Sequence, residues 1–145
     1  MKVHFDASVI IAALLSSTGG SALLLQFVKD GLIIGIISQN ALDEVMEEDK
    51  AKRVKRSRRE IEQFIAETGL IVMGTIAEEE IAPYHGQVDS EDAYLITGAN
   101  LTGCTYLVTL DKKHLLRPDI CEKFLPLCIV SPKEMLEEIR SHLLS

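Results

Sequence analysis

Asp6, Glu44, Asp92 and Asp111 each fall where an apolar run ends or beside one on an expected helix. Residues 3–5 run into Asp6-Ala7-Ser8, and residues 106–110 run into Asp111. In an open parallel α/β sheet, ligands gather outside the carboxyl ends of the strands. Two acids from such ends, joined by two from neighbouring helices, would line an oxygen-rich pocket. Carboxylates held together repel one another unless a positive charge lies between them. A hard divalent cation, Mg²⁺ or Mn²⁺, suits that donor set. It would activate water and neutralise phosphate charge, the requirements of phosphodiester hydrolysis. Taken singly, each acid has an ordinary alternative. Asp6 can be a helix cap and Asp111 a turn former. Glu44 can be one solvated acid among Asp43, Glu47, Glu48 and Asp49, and Asp92 an acid favoured by a helix N-terminus. Their joint placement carries the metal-site reading.

The elements that must position these acids alternate along the chain. A buried strand is expected over 2–5, then a helix capped by Ser8 and running to Leu15. A loop over 16–20 leads into a helix over 21–29, with Leu24, Leu25 and Val28 on one face. A strand buried on both faces follows over 32–37. Ser38 caps a helix reaching about Lys50, with Glu44 off the centre of its apolar stripe. An amphipathic helix over 58–68 is stopped by Gly69, and a short strand spans 70–73. Residues 75–88 read as an acidic turn and a loop. Asp89-Ser90 caps a helix through Leu101, and strands follow over 106–110 and 128–130. Ser131-Pro132-Lys133-Glu134 combines a capping box with proline at the first helical position. The class is α/β with a largely parallel sheet, as one domain over residues 1–145 without repeats or linkers.

Composition narrows the function classes. With 47% apolar and 26% charged residues, the 145-residue chain can build an ordinary globular core. Three cysteines without a C-x-x-C spacing argue against a disulfide framework and for a reducing cytoplasm. No basic leader with a long apolar stretch opens the sequence, and no run is long enough to span a bilayer, so no membrane is expected as a partner. A net charge of −7 argues against an unspecific polyanion binder. Yet seven of the 15 Lys and Arg lie between Lys50 and Arg59, namely Lys50, Lys52, Arg53, Lys55, Arg56, Arg58 and Arg59. Such a cluster engages phosphate backbones. Its alternative is a solvated helix face balanced by the acids at Glu44, Glu47, Glu48 and Asp49.

Three segments resemble the signatures of the PIN-domain family, and in particular of VapC-like toxins. Val3-His4-Phe5-Asp6-Ala7-Ser8-Val9-Ile10 looks like the family's opening strand with its first acid. Asp89-Ser90-Glu91-Asp92-Ala93-Tyr94-Leu95-Ile96 is similar to the acidic start of an apolar helix. Residues 103–116 resemble a strand ending in Thr-x-Asp before a basic, leucine-containing turn, here Thr109-Leu110-Asp111. Ser38 and Glu44, on a strand-to-helix passage, match the remaining acidic site. The resemblance implies an α/β/α sandwich with a mainly parallel central sheet flanked by helices. It further implies a metal-dependent endoribonuclease of the kind found as the toxin of prokaryotic toxin–antitoxin pairs. Asp6, Glu44, Asp92 and Asp111 would then hold Mg²⁺ or Mn²⁺, with Ser8 and Thr109 in support and Asp89 as a fifth acid or a cap. Lys52, Arg53, Lys55, Arg56, Arg58 and Arg59 would hold the RNA backbone. Ser8 stands where many relatives carry Asn. Toxin-like members pair as homodimers and are obstructed by an antitoxin protein. Leu14, Leu15, Leu23 and Leu24 could supply the dimer surface or belong to the core.

Rival functions lack a part. Phosphotransfer through an aspartyl phosphate needs a second Asp two residues after Asp6, and that position is Ser8. A receiver domain needs an acidic pair after the first strand. A housekeeping RNA-processing nuclease and a catalytically silent binding module stay open beside the toxin reading. The histidines, His4, His85, His114 and His142, match no zinc spacing. His114, three residues past Asp111, could approach a phosphate.

Overall fold

The structure is a computed structural model and describes residues 1–144. Strand β1 (Lys2–Phe5) leads to helices α1 (Ala7–Leu15) and α2 (Gly20–Lys29), and β2 (Ile34–Ser38) to α3 (Gln39–Val45), α4 (Glu48–Val54) and α5 (Arg58–Thr68). Strand β3 (Ile71–Met73) precedes α6 (Glu78–Ile81), a 3₁₀ turn at Ala82–Tyr84 and α7 (Ala93–Leu101). Strand β4 (Tyr106–Val108) precedes α8 (Pro118–Lys123), and β5 (Cys128–Val130) precedes α9 (Pro132–Leu144). The five strands form one parallel sheet in the order β3-β2-β1-β4-β5. The chain builds outward from β1 to β3, then returns to place β4 on the other side of β1. That reversal puts a topological switch point between β1 and β4, the place where open α/β sheets bind ligands.

Helices cover both faces, because each strand sends alternate side chains to opposite sides. Val3, Phe5, Ile37, Val108 and Val130 meet a core that includes residues of α1, α2, α5 and α9. Ile36, Leu107 and Ile129 point the other way and pack with Leu95, Ile96 and Ala99 of α7. Phe5, Leu107, Leu95 and Ile10 are fully buried, each stabilising the fold by roughly 1.5–3 kcal/mol. The result is an α/β/α sandwich with an all-parallel sheet. No single helix among the described residues is long and apolar enough to cross a membrane.

Local caps explain several boundaries and correct others. Ser131 and Glu134 close the expected capping box at α9, with backbone-to-side-chain bonds of 3.0 and 3.1 Å, and Ser57 with Glu60 forms a second one at α5 that the sequence reading did not assign. Helix α1 is capped by Asp6, not Ser8, and α7 starts after Asp92, not at Asp89-Ser90. Strand β2 begins two residues later than expected and takes in Ser38, and β4 stops at Val108, so Asp111 stands beyond the strand on the following loop. Helix α8 and the short α6 were not anticipated. The helix expected from Ser38 to about Lys50 is broken at Met46-Glu47, where Glu47 is extended with ψ 142°. In a continuous helix, residues six apart are separated by about 9 Å along the axis. The break lets Lys50 fold back to within 3.2 Å of Glu44. Leu14 and Leu24 are core residues, whereas Leu15 and Leu23 are each 46% exposed.

Candidate metal centre

A cleft of about 510 Å³ opens at the β1/β4 switch point, lined by Asp6, Ser8, Glu44, Asp89, Asp92 and Asp111, with Lys50, Arg53, Glu91 and His114. The fold thus draws all four acids singled out in the sequence into one depression, from positions up to 105 residues apart. Each is delivered by a different piece of backbone.

Asp6 directly follows β1, where its own N–H donates to the Val108 carbonyl at 3.1 Å, so the β1–β4 pairing carries it to the edge of the crevice. Its carboxylate makes no cap bond to α1. It accepts instead from Thr109 Oγ1 at 2.6 Å and Ser8 Oγ at 2.9 Å, both on Oδ2. Burial raises its pKa above the usual carboxylate range; the Thr109 and Ser8 bonds oppose the rise and the charge of Glu44 adds to it. Thr109 is fully buried behind Asp6. Its Oγ1 also accepts from the Asp111 N–H at 3.1 Å, and Ser8 Oγ accepts from the Leu110 N–H at 3.1 Å. The two hydroxyls therefore tie the loop after β4 to the end of β1.

Asp111 is fixed by its own loop. Its Oδ1 accepts from the N–H groups of Lys113 and His114 at 3.1 and 2.9 Å, and Oδ2 meets His114 Nδ1 at 3.1 Å. Glu44, on α3, accepts from Tyr94 Oη at 2.9 Å through Oε2 and from Lys50 Nζ at 3.2 Å through Oε1. Burial and the charges of Glu44 and Asp6 push the Tyr94 phenol far up, so it remains a donor. The sequence reading gave Tyr94 no role. Its signal was the hydroxyl itself, since a phenol on a buried apolar helix needs a partner. Asp89 accepts from the Glu91 N–H at 3.1 Å, which makes it the turn former before α7.

Asp92 differs from the others. It occupies the cap position of α7 yet makes no side-chain cap bond. Its carboxyl pKa is pushed up to about 7, first by burial, then by the charges of Asp111, Asp6 and Asp89, with His114 pulling the other way. A carboxyl held among like charges with no donor of its own is complemented by a cation. Asp92, Asp111 and His114 each bring one ligand atom within 4.8 Å of the others; Asp6 and Glu44 stand outside that tight group. The oxygen-rich donor set fits a divalent ion.

The basic run divides. Lys50 and Arg53 line the cleft, whereas Lys52, Lys55, Arg56, Arg58 and Arg59 do not. Lys52 pairs with Glu48 at 3.1 Å and Arg58 with Glu62 at 3.1 Å, both one helical turn away on the surface.

A family model described as the PIN domain matches residues 2–113, a span containing all four acids. No curated protein matches the chain. Among solved structures, the chain is similar to one in the crystal structure of VapBC2 from Rickettsia felis bound to a DNA fragment from their promoter. The TM-score is 0.60 at 14% identity, over 90% of this chain and 98% of that one. At that identity the likeness is one of fold.

Proposed function

The chain belongs to the PIN-domain family, and from that premise we propose that it is a metal-dependent endoribonuclease acting as the toxin of a toxin–antitoxin pair. The observation that carries this reading is the gathering of Asp6, Glu44, Asp92 and Asp111 around one cleft at the sheet's switch point. Mg²⁺ or Mn²⁺ held by these acids would supply activation of water and neutralisation of phosphate charge. The chain's own groups do the rest. Thr109 and Ser8 orient Asp6; backbone N–H groups hold Oδ1 of Asp111 and leave Oδ2 toward the cleft; Tyr94 and Lys50 aim Glu44. Lys50 and Arg53 at the rim would meet the phosphates of a single-stranded RNA. No side chain has to serve as nucleophile.

The whole chain, residues 1–145, would act as one nuclease domain in the cytoplasm, where its free Cys104, Cys121 and Cys128 are at home. The fold likeness to a chain of a VapBC2 complex supports an antitoxin protein as partner; by the family resemblance that partner would obstruct the cleft and the working form would be a homodimer. The test is cleavage of a mixed RNA pool by purified protein in Mg²⁺, Mn²⁺ or excess EDTA, alongside Asp6→Asn. Cutting that needs the ion and disappears in the variant is expected. Cutting retained in Asp6→Asn would remove Asp6 from the site, and folded protein inert with both ions would leave a binding module.

A further inference from the structure

We propose that His114 is a nitrogen ligand of the metal centre, oriented by Asp89, and that it biases the centre toward Mn²⁺ over Mg²⁺. The inference rests on the nuclease reading and sharpens its metal site.

The geometry approaches a carboxylate–histidine–metal arrangement, in which a ligating imidazole turns its second nitrogen to a carboxylate; here that nitrogen faces Asp89 at ion-pair distance, longer than a hydrogen bond. His114 Nδ1 lies 3.1 Å from Asp111 Oδ2, and its other nitrogen, Nε2, faces Asp89 Oδ2 at 3.8 Å. Two ligands at about 2.1 Å from one octahedral ion, at right angles, stand about 3 Å apart, which is the spacing of Nδ1 and Oδ2. Asp111 contributes the matching atom, because its Oδ1 is already taken by two backbone donors. Asp92 completes the group, with no cap bond to hold its carboxylate elsewhere. A cation held by Nδ1 and Oδ2 would displace the proton these atoms share, which would leave the ring proton on Nε2, the side that faces Asp89. Asp89 is itself held in place through the bond its Oδ1 accepts from the Glu91 N–H. An all-oxygen centre suits Mg²⁺ and Mn²⁺ alike, whereas a neutral nitrogen donor is a poor exchange for water on the hard Mg²⁺, which dehydrates reluctantly and takes oxygen ligands, and is less of a penalty for the softer Mn²⁺.

Mn²⁺ bound to the full chain, read by electron spin-echo modulation, tests this without an activity assay. Modulation from a directly bound ¹⁴N is expected in the native protein and absent in His114→Ala. Titrations of Mn²⁺ and Mg²⁺ add the selectivity. His114→Ala should weaken Mn²⁺ binding more than Mg²⁺ binding, and Asp89→Asn should keep the nitrogen signal while weakening Mn²⁺ by roughly 10- to 100-fold, as for loss of an orienting partner. Bound Mn²⁺ without nitrogen coupling, or equal weakening of both ions in His114→Ala, would overturn the assignment and leave the nuclease reading intact. Failure of the native chain to bind Mn²⁺ would overturn both.

Discussion

Thr109 Oγ1 donates to Asp6 Oδ2 at 2.6 Å and accepts from the Asp111 N–H at 3.1 Å. One buried hydroxyl thus spans two acids that are 105 residues apart in sequence, joining the end of β1 to the loop after β4. Thr109→Val keeps the shape of the side chain and removes both bonds. It should lower cleavage at least tenfold and cost about 1–2 kcal/mol of stability, since a part-buried N–H and a buried carboxylate each lose a partner. Thr109→Ser should recover most of both. Turnover and urea unfolding of the two variants read this directly; full activity in Thr109→Val would show that Asp6 needs no such support.

Asp92 links the site to stability. Its folded pKa of about 7 stands above the ordinary 3.8, so the native state holds a proton that the unfolded chain has already lost. Between about pH 4 and pH 7 its contribution to stability therefore falls as pH rises, and above pH 7 the cost is complete. In EDTA, Asp92→Asn should stabilise the protein by roughly 1–2 kcal/mol at pH 8, the full shift being reduced because solvent reaches the carboxyl. The gain should shrink at pH 5 and reverse in excess Mg²⁺. Equal melting temperatures at pH 8 would mean that the acids do not strain the fold.

His4 acts in the opposite sense. It is fully buried on β1, and neither ring nitrogen has a hydrogen-bond partner. Its ring presses on α7, where a Cβ on Gly98 would come within 3.0 Å of it. Burial lowers its pKa from 6.5 to about 4. The stability held above pH 6.5 is therefore lost as pH falls toward 4, by on the order of 3 kcal/mol. His4→Leu should be more stable at neutral pH and should flatten that acid limb. Urea unfolding at pH 7.5 and pH 4.5 compares the two proteins, and an unchanged difference between the two pH values would defeat the account.

The basic run separates into two cleft residues, Lys50 and Arg53, and several surface ones. Arg53→Gln should reduce the slope of RNA affinity against salt by about 0.7, the value for one single-strand phosphate contact. Lys52→Gln and Arg58→Gln, which lose only ion pairs within their own helices, should leave the slope unchanged. Binding to single-stranded RNA in EDTA at several salt concentrations distinguishes them. A uniform effect of all three substitutions would return the run to a diffuse electrostatic role.

Asp6 and Asp111 were legible in the sequence because they follow short apolar runs, and a run of that kind that folds as a parallel strand brings its end to one edge of the sheet. Glu44 and Asp92 were legible as acids beside apolar helix positions. Alternating strands and helices likewise specified the α/β class with its parallel sheet, and the Ser131–Glu134 box specified the last helix, since both depend on neighbours in the chain. Ser8 and Asp92 show where local reading stops. Asp6 and Ser8 are both acceptable caps, but Ser8 turns to Asp6 instead, in a network that Thr109 and Leu110 of the loop after β4 complete. The break at Met46-Glu47, which brings Lys50 back onto Glu44 and divides the basic run, carries no proline or glycine to announce it. Tyr94 reaches Glu44 across 50 residues. These relationships depend on which strand lies beside β1, and that pairing is decided by packing both faces of the sheet at once. The four acids could be singled out from the residues alone; which of them share one cleft, and which hydroxyl, phenol or imidazole each one faces, follows from how the sheet and helices pack.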